Sequence, residues 1–169
     1  ASADGTADQA AALWPHAQVL RHEKNLGFGA ANNRALERVN TPWAFLLNPD
    51  CSVTVEQLEE LLAVSGQWPE ASVIAPQLIG VDGVLEVNYR WPRTDWESFG
   101  PETQGPLCVG FVCGAAMLLR LERFAGIGFF DERFFLYHED DDLCLRLFRA
   151  RHPLIVVPSV RAMHLSRGS

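Results

Sequence analysis

Four cysteines are present, and none belongs to a CxxC pair or to a Cys/His spacing of the kind that holds zinc. Scattered at Cys51, Cys108, Cys113 and Cys144, mostly in apolar surroundings, they are expected to be reduced core thiols, as in a cytoplasmic protein. No apolar run is long enough to cross a bilayer; the longest candidate, residues 109–119, is interrupted by glycines. There is no signal-peptide pattern, internal repeat or low-complexity tract. Positive charge is also scarce: 14 Lys and Arg stand against 21 Asp and Glu, a formal net charge of −7, which argues against a nucleic-acid partner.

What is present describes an ordinary folded domain. A chain of 169 residues fits one domain, and 48% hydrophobic against 21% charged residues excludes wholesale disorder. An acidic protein that handles phosphates needs a local positive charge, and a divalent cation is one source.

Patterning gives alternating helices and strands. Thr6-Ala7-Asp8-Gln9 reads as a capping box opening a helix, and residues 17–20 as a short strand. Asn25-Leu26-Gly27-Phe28-Gly29-Ala30-Ala31-Asn32-Asn33 is a glycine-bearing loop running into an alanine-rich helix. Residues 43–47 form a continuous apolar run, as in a buried parallel strand, ended by Asn48-Pro49-Asp50. Thr54-Val55-Glu56-Gln57 is a second capping box, with a helix expected to about Val64. A strand over 72–75 follows, then a hairpin about Val81-Asp82-Gly83 and a long irregular loop over 88–106. Residues 113–119 read as a buried strand, 121–125 as a short helix, 139–150 as a strong helix and 154–157 as a last strand before Pro158. The sum is an α/β fold with a mostly parallel sheet, in which ligands sit beyond the carboxyl ends of the strands, where Asn48-Pro49-Asp50 lies.

Four groups could carry chemistry. In Glu139-Asp140-Asp141-Asp142 the acidic residues also suit a helix N-terminus, where they complement the macrodipole. The helical period separates them. Asp140 stands over an apolar stripe of Leu143, Cys144, Leu147 and Phe148, facing inward as a general base should; Asp142 precedes Arg146 by four, an outer-face ion pair. Asp141 belongs to neither group. Asp50 is a turn residue or a cation ligand, His164 a polar residue or an imidazole ligand, and together they suit Mg²⁺ or Mn²⁺. The glycines before residue 30 could let backbone N–H groups approach a phosphate.

Read together and in order, these residues resemble glycosyltransferase family 2, in particular its rhamnosyltransferase-like members. The resemblance rests on Ser2-Ala3-Asp4-Gly5-Thr6, the 25–33 loop, Asn48-Pro49-Asp50, the segment from Gly128 through Phe129, Phe130, Asp131, Tyr137, Glu139 and Asp140 to Arg146, and His164. It implies a GT-A fold, a Rossmann-like α/β/α sandwich lacking its first strands, and an inverting transfer from a nucleotide-diphosphate sugar, dTDP-rhamnose for these members, to a saccharide or lipid-linked acceptor. It makes Asp50 the last residue of a DxD motif whose first position is Asn48, and His164 a second ligand of a Mg²⁺ or Mn²⁺ ion. Asp140 is the implied base, with Asp131 and Glu139 supporting base or acceptor, and Asp4, Asn25, Asn33, Asn48 and Asp50 on the donor side.

The resemblance also implies two strands and a nucleoside-contacting turn ahead of Ala1, and a region past His164 that is often membrane-associated. Self-association through an exposed sheet edge is therefore expected of this chain, and peripheral contact with the inner face of a membrane of the whole protein. A metal-dependent nucleotidyltransferase or phosphohydrolase, and a non-catalytic nucleotide- or glycan-binding remnant of the fold, are the competing readings.

Overall fold

A computed structural model describes residues 4–91 and 105–165. In chain order the elements are α1 (Thr6–Leu13), α2 (Phe28–Leu36), β1 (Trp43–Leu47), β2 (Cys51–Ser52), α3 (Val55–Gln67), β3 (Val73–Ile79), β4 (Tyr89–Arg90), β5 (Leu107–Val109), β6 (Phe111–Val112), β7 (Ala116–Arg120), a 3-10 turn (Leu121–Phe124), α4 (Glu139–Arg149) and β8 (Leu154–His164). Six strands make one sheet in the order β1-β7-β3-β8-β2, with β5 also paired to β8; β4 and β6 form a separate two-stranded ribbon.

The sheet is mixed. β3 and β8 pair in parallel, and β1 shares their direction because β1 and β3 each pair antiparallel with β7, which lies between them. The run over 43–47 is thus not a buried parallel strand. It is an edge strand paired antiparallel, with Leu47 exposed. The antiparallel pairing of β3 with β7 needs no helical crossover between them.

Alternation along the central strands builds the α/β/α sandwich. Val73 and Ala75, Met117 and Leu119, and Leu154 and Val156 face α4, where they meet Leu143, Cys144 and Leu147. The residues between them (Ile74, Leu118, Ile155 and Val157) face the other way and pack with Leu61 and Val64 of α3. Leu61 is fully buried, which stabilises by about 1.5–3 kcal/mol relative to exposure. α3 begins where the local signal put it: Thr54 and Gln57 make a complete capping box, and the helix runs three residues beyond Val64.

Several local expectations give way to non-local bonds. Thr6 is not a cap; Gly5, in the left-handed region, takes that position, while the Thr6 hydroxyl and N–H both donate to Asp4. Residues 17–20 are not a strand: Ala17 N–H closes a turn onto Trp14, and among the described residues no strand pairs with them. The run over 113–119 is broken at 113–115, whose backbone is bonded outside the sheet. The last strand does not stop before Pro158. Its register with β3 jumps from Val157 to Arg161, so Pro158 is carried on an excursion where the ladder requires no donor from it. The turn about 81–83 forms, with one bridge between Ile79 and Leu85, and the 88–106 loop contains β4 and ends in the residues before β5; residues 92–104 lie outside the described residues. Among the cysteines, Cys51 and Cys144 are buried and Cys113 half-buried, but Cys108 is exposed, so it is no core thiol.

α2 is docked by its first glycine. Gly27 has φ 82°, and a Cβ placed there would lie 2.2 Å from the Phe135 carbonyl oxygen, which accepts a bond from Phe28 N–H. Gly27→Ala should therefore lower the melting temperature well beyond Gly83→Ala. The latter has similar φ but open space around it, so it pays only left-handed strain of about 1–2 kcal/mol. Equal losses in thermal melts would show that the Phe135 contact is dispensable.

Candidate active site

The first half of the site is assembled by the turn that ends β1. Asn48 N–H donates to the Ala115 carbonyl at 2.9 Å, and Cys51 N–H returns to the Asn48 carbonyl at 3.0 Å, closing a turn around Pro49. β2 then sets Cys51 opposite His164, and Leu165 N–H donates to the Asp50 carbonyl at 2.7 Å. This pairing carries His164 Nε2 to 3.6 Å from Asp50 Oδ2. The other ring nitrogen, Nδ1, lies 2.7 Å from Glu86 Oε2, a carboxylate that fixes the orientation of the imidazole. Glu86 was invisible in the sequence pattern, since only the return of the chain after the 81–83 turn brings it to β8. Glu86 and His164 also line a cavity of about 480 Å³.

Asp50 Oδ1 is buried and accepts no hydrogen bond among the described residues. One ligand atom from each of Asp50, Cys51 and His164 falls within 4.8 Å of the others. The Cys51 thiol is pushed up to about 12, by burial first and by the neighbouring Asp50 charge second, which keeps it protonated. The donor set is then an anionic oxygen with an unsatisfied lone pair and an imidazole nitrogen turned toward it. That set fits a hard divalent cation.

The second half is the N-terminus of α4. Asp140 accepts the Gly114 N–H at 3.0 Å through Oδ2 and the Asp141 N–H at 2.9 Å through Oδ1. Burial raises its pKa, opposed in part by the Gly114 bond. Glu139 goes deeper. It is 5% exposed, its Oε2 has no hydrogen-bond partner among the described residues, and burial raises its pKa as well. The helical period accounts for this: Glu139 stands four and eight residues before the fully buried Leu143 and Leu147. Phe148, expected in the buried stripe, is instead 40% exposed.

The other two carboxylates face away from these. Asp141 binds Arg90 through one oxygen and lies 3.2 Å from His138 Nδ1 through the other. Asp142 pairs with Arg146 at 2.8 Å, but not as an outer-face pair: Arg146 is half-buried and donates to the carbonyls of Ile127, Gly128 and Phe129, clamping that loop to α4. Tyr137 and His138 enter α4 with φ of 66° and 69°, costly for non-glycine residues and a common mark of functional sites.

The two halves meet at 113–115. Gly114 holds Asp140, Ala115 holds Asn48, and Cys113 N–H donates to Asn88. The remaining residues named from sequence have local duties. Asn25 accepts from Gly27 N–H, and Asp4 is engaged by Thr6. Asn33 exchanges two bonds with the Phe130 backbone, at 2.9 and 3.1 Å, tying α2 to the loop before α4. Asp131 is held by Arg133, which lowers its pKa to about 2.

Comparison with known proteins gives the family and the fold. The model of the family described as "Glycosyl transferase family 2" matches residues 1–122. The chain belongs to that family. It is similar to the N-acetylglucosaminyl-diphospho-decaprenol L-rhamnosyltransferase of Mycobacterium tuberculosis, at 29% identity over 96% of the chain and 63% of the relative. It also resembles the low-salt glycan biosynthesis hexosyltransferase Agl10 of Haloferax volcanii, at 27% identity over 83% of the chain and 49% of that protein. A shorter stretch, 33% of the chain, is 43% identical to 21% of the rhamnosyltransferase WbbL of Escherichia coli. The chain thus spans less than two thirds of the length of these relatives. Among solved structures it superposes on GalNAc-T7, determined with UDP, GalNAc and Mn²⁺, with a TM-score of 0.73 and 18% identity over 97% of the chain and 35% of that protein. This likeness shows the GT-A fold. Among the described residues no helix is long and apolar enough to cross a membrane.

Two measurements follow from the geometry. Glu139 and Asp140 titrate above their ordinary values of 4.5 and 3.8, so the folded state keeps protons that the unfolded chain releases. Their contribution to stability is complete below those values and is lost as pH rises through the folded pKa. Glu139→Gln should therefore raise the melting temperature more at pH 7 than at pH 4; the same change at both would contradict an ionised, unpartnered Glu139. Glu86→Gln should weaken Mn²⁺ binding by about 10–100-fold, the usual cost of losing the carboxylate behind a ligating histidine, with melting little altered. Unchanged Mn²⁺ affinity would remove Glu86 from the site.

Proposed function

We propose that this chain is the greater part of the catalytic domain of an inverting glycosyltransferase, acting on a nucleotide-diphosphate sugar and a saccharide acceptor. The observation that carries the reading is the coupling through 113–115 of a half-buried carboxylate on one side to an oxygen–imidazole pair on the other. Asp50 and His164 would hold Mg²⁺ or Mn²⁺, which supplies positive charge against the diphosphate as it leaves. Asn48 lies on the same turn, on the donor side.

Asp140 is the base. Its raised pKa strengthens it as a proton acceptor, and the amides of Gly114 and Asp141 fix its orientation. As the acceptor hydroxyl attacks the anomeric carbon, its proton passes to Asp140. The new C–O bond forms as the bond to the diphosphate oxygen breaks, with its electron pair going to that oxygen. A single in-line displacement inverts the anomeric centre. Glu139 and Asp131 support this end, one by its buried charge beside the base, the other through the loop that leads to α4. Asp4 and Asn25 shape the donor side through the turns they close, and Asn33 by tying α2 to the loop before α4.

The names of the relatives support rhamnose as the sugar transferred and a lipid diphosphate-linked sugar as acceptor; the donor proposed is dTDP-rhamnose, and the place of action the cytoplasmic face of a membrane. The open edge at β1 supports self-association of this chain.

Asp140→Asn in the full-length protein should lower transfer by about 10²–10⁴-fold and leave sugar-nucleotide binding nearly unchanged. Asp50→Asn should abolish Mn²⁺-dependent nucleotide binding and, with it, transfer. Transfer rates and nucleotide titrations across a panel of sugar nucleotides check both. Unimpaired transfer by Asp140→Asn would remove Asp140 as the base, and nucleotide binding without transfer in the unaltered protein would replace this reading with a binding function.

A further inference from the structure

The break before β7 opens one edge of β3. Among the described residues β3 pairs with β7 at Val73 and Ile74 and no further. Continuing that register would set Gln77 opposite Ala115 and Leu78 opposite Gly114, but those two residues bond to Asn48 and Asp140 instead. Backbone groups left bare inside a protein are costly, so something must take the place of 113–115. The side chain of Asn88 does so. Its Nδ2 donates to the Pro76 carbonyl at 2.9 Å, and its Oδ1 accepts the Leu78 N–H at 3.3 Å. A carboxamide carries a donor and an acceptor, as a peptide group does, so Asn88 completes the ladder that β7 has left.

The main chain of the same residue faces the break. The Asn88 carbonyl accepts Cys113 N–H at 2.8 Å, and the pairing continues outward as Tyr89 with Val112 and Arg90 with Phe111. Asn88 is therefore a wedge, with its side chain on β3 and its backbone on the chain that enters 113–115. It is 3% exposed, and Gln77 beside it 5%. Gln77 Nε2 lies 2.8 Å from Asn88 Oδ1 and 2.8 Å from the Glu86 carbonyl. The first contact fixes which end of the carboxamide meets Leu78; the second joins the pair to the residue behind His164. Folding alone does not demand this arrangement. Three more residues of β7 would satisfy the same groups with backbone, but would draw Gly114 and Ala115 into the sheet, away from Asp140 and Asn48. A buried amide pair is costly unless its bonds are made, and it is kept where it holds those two residues out.

We infer that Asn88 is a positioning residue of the site: its carboxamide replaces the strand partner of β3 and so frees Gly114 and Ala115 to hold Asp140 and Asn48. The inference rests on the transfer reading above for its effect on catalysis, not for its geometry. Amide hydrogen exchange followed by NMR tests the geometry with no substrate present. In Asn88→Ala the Gly114 amide should exchange about 10–100-fold faster relative to the Ile155 amide, as expected for losing a bond to a carboxylate. In transfer assays of the full-length protein, run below the melting range, the same variant should lose about 100-fold in kcat, the scale of a misplaced reacting group, and less in sugar-nucleotide KM. Leu61→Ala, a cavity under α3 on the other face of the sheet, should lower the melting temperature and cause neither change. Asn88→Ser, whose hydroxyl is too short to span Pro76 and Leu78, should show the same effects in milder form, and carries the test if Asn88→Ala does not fold. A Gly114 amide as protected as in the unaltered protein, or a loss of kcat no greater than that of Leu61→Ala, overturns the assignment. Faster Gly114 exchange in a protein that transfers no sugar would leave the wedge standing and dismiss the transferase.

Discussion

The site depends on a break in a strand. Residues 113–115 lie between β6 and β7, where an apolar run would otherwise continue through the sheet, and their backbone is bonded sideways instead. One peptide group turns its N–H to Asp140, and the next residue's carbonyl receives Asn48. Gly114 suits that approach: a Cβ there would lie 3.2 Å from the Phe28 ring, which would have to give by a few tenths of an ångström, and in ordinary contact with the Asp140 Cβ at 3.6 Å. Base and cation ligands come from distant parts of the chain, yet this clasp ties the Asp140 carboxylate and the turn that carries Asp50 to two neighbouring backbone groups. Backbone is the stiffest material available for that purpose.

Around the clasp, the protein keeps charge where folding alone would not. Glu139 is buried with an unpartnered oxygen, Asp50 holds a second such oxygen, and Tyr137 and His138 adopt left-handed backbone angles just before α4. Each costs stability of order 1–3 kcal/mol. The two-faced sheet offsets them, with α3 and α4 burying alternate residues of β3, β7 and β8. Placing these costs at one end of the sheet, beyond β1 and beside the end of β8, is what a ligand site at strand ends requires.

What the sequence revealed follows the range of the forces involved. The capping box at Thr54, the acidic start of α4 and the four-residue step from Asp142 to Arg146 are local, so pattern alone reveals them. The inward face of Asp140 was legible by the same period, although that period applies with more force to Glu139, which ends deeper. The continuation of β8 past Pro158 was not legible, because it depends on β3 tolerating a register jump. Antiparallel β7, the Glu86 contact to His164 and the pairing of Asn33 with Phe130 all join segments far apart in the chain. No window of neighbouring residues contains them. The family resemblance supplied Asp50 and His164 together; the structure supplied the reason, which is the β2–β8 pairing.

The claim on which the account stands is that cation ligands and base share one cleft across the 113–115 clasp. Paramagnetic broadening of backbone amides by Mn²⁺ tests it most directly. At substoichiometric Mn²⁺ the amide signals of Leu165, bonded to the Asp50 carbonyl, and of Gly114, bonded to Asp140, should both broaden, and both should stay sharp in Asp50→Asn. A Gly114 signal untouched by Mn²⁺, or broadened equally in the variant, would place the cation elsewhere and separate the two halves of the site.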